Sequence, residues 1–200
     1  SAFYFDVRKD SLYCDSKGSP RRRAARTVLA ALHRCLTAWL APVMPFTAEE
    51  AWLARFPDAG SVHLQLFPEI PAEWRDEALA AKWARVRDIR RVVTGALEKA
   101  RGAGTIGSSL QAAPTLHLPE NELDLLPAES WAELCITSDL HLLTTTAAAD
   151  AFAVEGVQGV AVDFAPAPGE KCDRCWRVLP EVGRSAAHPT LCLRCEAAVA

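Results

Sequence analysis

The chain has no long hydrophobic run. No apolar stretch approaches the roughly 20 residues that cross a bilayer, which argues against a membrane-spanning helix. Its start, "SAFYFDVRKD", lacks the basic-then-apolar order of a secretory signal. Methionine is almost absent, with Met44 alone, and no initiator stands at position 1. A sequence that opens directly into an amphipathic pattern reads as a piece of a longer protein. There is no glycine-rich phosphate loop. His33, His63, His117 and His141 each stand alone, with no Ser or Cys at a telling distance, so no catalytic residue is assigned. Charge of one sign is missing from two regions. From Ser16 to Ala48 there are six basic residues and no acid, and from Gly102 to Glu170 there are ten acids and no Lys or Arg. With a net charge of −3, removing that −10 segment leaves +7 for the rest. A polyanion would be drawn to the flanks and repelled by the middle. Alternatively, the basic and acidic parts pack on one another.

What is present begins with helices. Half of the 200 residues are hydrophobic, enough for a real core. "FYFDVRKDSLYC" reads as the tail of a helix. A second helix is expected from Pro20 to Leu40, with Ala25, Val28, Leu29, Leu32, Leu36 and Trp39 on one side. Arg22, Arg23, Arg26 and Arg34 lie on the other, a face suited to phosphates or simply to solvent. Pro42 and Pro45 stop this helix. "TAEEAWLARF" restarts with a capping box between Thr47 and Glu50. The pair Glu49 and Glu50 suits the positive end of that helix. A long helix runs from about Glu73 to Arg101 on a stripe of Leu79, Trp83, Val86, Val93 and Leu97. "GAG" at 102–104 ends it. The texture then changes. "TLHL", "LHLLTT" and "GVAVDF" read as short strands, and "PENELDLLPAESWAELC" as one or two short helices. Residues 144–151 read as a loop, and "APAPGE" (165–170) as a stiff linker. The predicted class is α+β: a mainly α-helical bundle, a small mixed α/β layer and a four-cysteine knuckle. The expected domains are 1–103, 104–168 and 169–200.

The strongest signal is "KCDRCWRVLPEVGRSAAHPTLCLRC" (171–195). Two Cys-x2-Cys pairs, Cys172 with Cys175 and Cys192 with Cys195, are separated by sixteen residues, within the spacing of a four-cysteine zinc site. Each two-residue turn aims two sulfurs at one point, and two turns supply a tetrahedron. All four positions are filled by protein, so one structural Zn2+ is expected, with no open position for catalysis. The cysteine total, seven, is odd, and Cys14, Cys35 and Cys135 are scattered through apolar stretches as small hydrophobes. That pattern fits a reducing compartment better than a disulfide framework. His188 is a competing ligand only if a thiol fails. Lys171, Arg174, Arg177 and Arg194 would offset the −2 charge of a zinc tetrathiolate. Trp176 follows Cys175 directly. It reads either as a stacking platform for an unpaired base, flanked by Arg174 and Arg177, or as a wedge packing the module onto the α/β layer.

Five blocks taken together carry a resemblance. "YFDVRKDSLYCD" (4–15), "APVMPFTAEEAW" (41–52), "RVRDIRRVVTGALE" (85–98), "IGSSLQAA" (106–113) and the final "CDRCW…LCLRC" resemble, in order, the later part of the bacterial isoleucine–tRNA ligase family. The first two blocks are shared more loosely with valine, leucine and methionine relatives. The chain departs from the family pattern at Gln111, where Glu is usual. The resemblance implies an N-terminally truncated, α-helical anticodon-binding domain up to about residue 103, then a junction domain and a zinc module. It implies isoleucine-accepting tRNA as the partner, with Trp176, Arg174, Arg177, Arg194, Arg22, Arg23, Arg26 and Arg34 as candidate contacts. It also implies a class I catalytic body elsewhere in a monomeric, cytoplasmic parent. ATP would bind that body, since the signatures that bind ATP are absent here. Two rivals remain. Formamidopyrimidine-type DNA glycosylases end in a similar four-cysteine module, but need an N-terminal proline nucleophile where this chain has Ser1. A zinc-supported protein-interaction module is the other.

Overall fold

The computed structural model describes residues 2–200. The chain passes from one compact unit into a second and back. The first unit comprises residues 1–16 and 77–200, and the second Lys17–Asp76. Sequence texture suggests a different division, into three successive domains. The helices at 2–14 and 77–102 fall in the first unit with the α/β layer, and those at 20–40 and 45–55 fall in the second.

The first unit is built on α4 (Glu77–Gly102). Val86, Ile89, Val93, Ala96, Leu97 and Ala100 recur at helical spacing and are buried, together with Val92. Each large apolar side chain so buried stabilises the fold by about 1.5–3 kcal/mol. The stripe fails at its start. Leu79 is exposed, and residues 72–74 form a separate single turn that ends before α4 begins. Beyond Gly102 the chain turns through Gly104, whose φ of 73° suits a residue without Cβ.

α4 packs against α5 (Ala128–Cys135) and a three-stranded sheet of β1 (Thr115–His117), β2 (His141–Leu143) and β3 (Ala161–Asp163). The strand order is β2-β1-β3, with β1 parallel to β2 and antiparallel to β3. Leu116 pairs with Val162, and both lie in the core with Trp131, Leu134 and Leu140. α1 (Ala2–Cys14) adds Val7 to the same core. Gly95 of α4 is glycine because the Phe152 ring lies 2.7 Å from where a Cβ would stand. The 165–170 stretch is no free linker. Ala165 O accepts from Ala113 N, and Ala167 N donates to Gln111 O, so it lies alongside residues 111–113.

Two carboxylates of the acid-only middle, and one backbone carbonyl, take arginine partners within this unit. Arg85 grips Glu122 through two bonds of 2.8 Å, Arg8 meets Glu133 at 2.8 Å, and Arg90 Nε donates to Leu134 O at 2.7 Å. Here the packing alternative holds for α1 and α4.

The second unit pairs α2 (Pro20–Leu40) with α3 (Pro45–Arg55) around Ala41, Ala48, Trp52 and Val62. Trp52 Nε1 donates to Gly60 O at 3.0 Å. Glu49 accepts from Ser61 Oγ and Val62 N, so it holds the loop that follows α3. The expected Thr47–Glu50 capping box does not form. α3 starts two residues earlier, with Pro45 in its first turn and no side-chain cap, because proline's fixed φ already suits that position. The expected apolar side of α2 is also corrected. Of that side only Ala25 is buried among its described members; Val28, Leu32, Leu36 and Trp39 are exposed, while Cys35, Thr37 and Ala38, outside the stripe, are buried. The chain that follows α2 meets it at His33, which lies against Ala51 O and the Phe56 ring, and not along the expected stripe.

Candidate metal centre and nucleic-acid interface

A hairpin makes the first knuckle. β4 (Glu170–Lys171) pairs with β5 (Val178–Leu179), and residues 172–177 form its turn. Trp176 N donates to Cys172 O and Cys172 N to Arg177 O, each at 2.9 Å, which closes the turn around the first two sulfurs. Cys192 caps α6 (Leu193–Val199), and Cys195 sits in that helix's first turn. Asp173 N donates to Thr190 O, drawing the two knuckles together.

The four sulfurs lie within 4.8 Å of one another, and Cys175 Sγ is 3.8 Å from Cys192 Sγ. A tetrahedron with Zn–S of about 2.3 Å has edges of about 3.8 Å. A disulfide would need about 2.05 Å. All four cysteines are buried and unbridged. His188 is outside the cluster. Protein alone is a poor host for four thiolates in this space. Burial, then the neighbouring sulfurs, push Cys175 up, and burial pushes Cys195 up to about 11. At Cys172 backbone donors outweigh burial and bring the thiol down to about 6. A dication resolves this conflict, so the donor set fits one structural zinc. Its chemistry is to fold the module, not to activate water.

The arginines of the module do not form an outward rim. Arg174 donates to Tyr13 O at 2.9 Å, to Cys14 O, and to Cys195 Sγ at 3.7 Å. Arg177 donates through Nε to Ser138 O at 3.1 Å and again through its terminal nitrogen. Arg194 takes Asp10 in a two-pronged grip of 2.6 and 2.7 Å and reaches Asp15 at 3.2 Å. The hydrogen bond to Asp10 holds its guanidinium still more firmly protonated than usual. Among the described residues, these three are anchors to the chain's own body, because Asp10, Asp15 and bare carbonyls lie within reach.

Trp176 is different. It is 61 % exposed, with Lys171 Nζ 5.4 Å from its ring centroid, so it does not wedge the module against the layer. Its φ of 65° is one that L residues rarely adopt, and the turn after Cys175 imposes it. On α2, Arg23, Arg26 and Arg34 are exposed and their side chains make no hydrogen bond or ion pair among the described residues. Arg22 is half-buried and has a partner.

Two long-range contacts escaped the sequence reading, one of them made by Cys14, whose expected burial holds. Ser138 is fully buried, and its Oγ accepts from Val178 N at 2.7 Å. Cys14 lies with the four ligands in one buried cluster. No local pattern marks either, since both act across long sequence separations. Cys35, Cys135, His33, His63 and His117 have structural settings, while His141 is exposed. Burial pushes Cys135 up to about 12, which leaves an inert thiol. His33, His63 and His117 contact backbone carbonyls of Ala51, Pro45 and Thr145, and His117 also meets Asp163 at 2.8 Å. Gln111 Oε1 accepts from Gly107 N and Ser108 N at 2.7 and 3.1 Å. It supplies the acceptor that the usual Glu would.

The family described as "Anticodon-binding domain of tRNA ligase" matches residues 1–116, and "Zinc finger found in FPG and IleRS" matches residues 169–198. Isoleucine–tRNA ligase of Agrobacterium fabrum is 50% identical over 200 residues, 100% of this chain and 21% of that protein. Those of Gluconobacter oxydans and Ruegeria pomeroyi are 53% and 54% identical over 197 and 201 residues, covering 98% and 100% of this chain. The chain spans about a fifth of the length of these relatives. No helix among the described residues is long and apolar enough to cross a membrane.

Proposed function

Because the chain belongs to the anticodon-binding domain family of tRNA ligases, we propose that it is the part of an isoleucine–tRNA ligase that grips the anticodon arm of isoleucine-accepting tRNA. The observation that carries this reading is the presence of both family matches in one chain. The zinc finger alone is shared with the glycosylase rival. The helical match over residues 1–116 is not.

Contacts divide by availability. Arg23, Arg26 and Arg34 of α2 meet phosphates, which give affinity and orientation without sequence choice. Arg22 supports that face from a half-buried place. Trp176 stacks on a splayed base, with Lys171 over its ring. Arg174, Arg177 and Arg194 serve this site at one remove, by holding the zinc module in place. The parent protein joins isoleucine to tRNA using ATP in a catalytic body, and this chain supplies binding, not chemistry. The exposed side chains of Leu64, Leu66 and Phe67 support an apolar partner such as that body. The parent acts as a monomer in the cytoplasm.

The test is titration of the zinc-loaded chain with a labelled anticodon stem-loop at two salt concentrations. Affinity should fall steeply as salt rises, because phosphate contacts release counterions. Affinity that ignores salt would favour a protein-interaction module instead.

A further inference from the structure

Each knuckle carries one arginine immediately before its second cysteine: Arg174 before Cys175 and Arg194 before Cys195. Both side chains end at the C-terminal end of α1, Arg174 on its last turn and Arg194 on the acids that flank that turn. That turn needs them. The final carbonyls of a helix have no partner within it, and a cation there is stabilising. α1 has no basic residue in its last turn. The cap is supplied from about 160 residues away, by Arg174 on Tyr13 O and Cys14 O. Arg194 clamps Asp10 and Asp15 on either side of the helix end. Cys14 is buried against the ligand cluster, its Sγ 3.8 Å from Arg174 O. Without metal the knuckles have little to fold them.

We propose that Arg174 and Arg194 are positioning residues that make zinc occupancy control the order of residues 10–16, the stretch from which the chain leaves its first compact unit at Lys17. The zinc is then a long-range staple of the anticodon-binding helices as well as a local one. This stands whether or not the chain binds tRNA, and its test uses no RNA.

Amide hydrogen exchange is followed on the full chain, zinc-loaded and then stripped by a chelator, with Ile89–Leu97 of α4 as internal reference. Stripping should raise exchange in residues 10–16 by about ten-fold or more, as in residues 171–199, with the reference unchanged, and added zinc should restore it. Linkage is reciprocal. Asp10→Asn, which removes no zinc ligand, should therefore weaken zinc affinity by a factor of several, read by competition with a chromogenic chelator. If stripping exposes the reference too, Arg194→Gln measured with zinc bound decides the matter, and faster exchange confined to 10–16 is expected. The proposal is overturned if 10–16 stays protected while 171–199 opens, if Arg194→Gln leaves 10–16 protected, or if Asp10→Asn leaves zinc affinity unchanged.

Discussion

Arginine meets two fates in this chain. In the zinc module Arg174, Arg177 and Arg194 turn inward onto carbonyls and carboxylates, whereas on α2 Arg23, Arg26 and Arg34 stand exposed. Residue type does not separate the groups, since both are arginines in arginine-rich stretches. What separates them is the acceptors that folding brings within reach. The module lands beside Asp10, Asp15, Tyr13 O and Ser138 O. The 16–48 stretch has no acid of its own. A basic patch is a nucleic-acid face only where the fold has not already supplied its anions.

The comparison can be broken most violently at the metal. Cys172→Ser or Cys195→Ser should abolish the single bound zinc and unfold residues 171–199, removing a binding term of about 10–16 kcal/mol. Native mass spectrometry counts the ion, and a folded tail without it would contradict the site. Next comes an inward arginine. Arg194→Ala should cost about 1–3 kcal/mol in chemical denaturation, below the figure for a sealed pair because Arg194 and Asp10 are each nearly a third exposed. A loss within about 0.5 kcal/mol would return Arg194 to the surface class. Trp176→Ala should sharpen the contrast from the other side. Anticodon stem-loop affinity should fall by about 1–3 kcal/mol for one stacked base, with zinc still bound. Release of zinc instead would make Trp176 structural. The smallest effect is expected at Gln111→Glu. It should leave thermal stability within about 0.5 kcal/mol, because either side chain offers the oxygen that Gly107 N and Ser108 N need.

How much of this was legible beforehand depended on the range of the interactions. The Cys-x2-Cys pairs were readable because their spacing is the geometry, and so were the bounds of α2, which Pro20 opens and the prolines at 42 and 45 close. The strands at 115–117, 141–143 and 161–163 followed from local alternation. Contacts across the fold were not readable. Nothing near Arg194 in the sequence announces Asp10, 184 positions away. The exposed side of α2 misled because helical periodicity reports an apolar stripe, not whether anything covers it. Thr47 was a sound cap in isolation, but Pro45 offered an earlier start.

The most direct test of the account is the salt dependence of stem-loop binding by Arg23→Ala/Arg26→Ala beside the wild-type chain. Removing two side chains proposed to meet phosphates should flatten the slope of log affinity against log salt by about 1.4–1.8, with zinc content and stability unchanged. Parallel lines would contradict it, and would return those arginines to a merely solvated face.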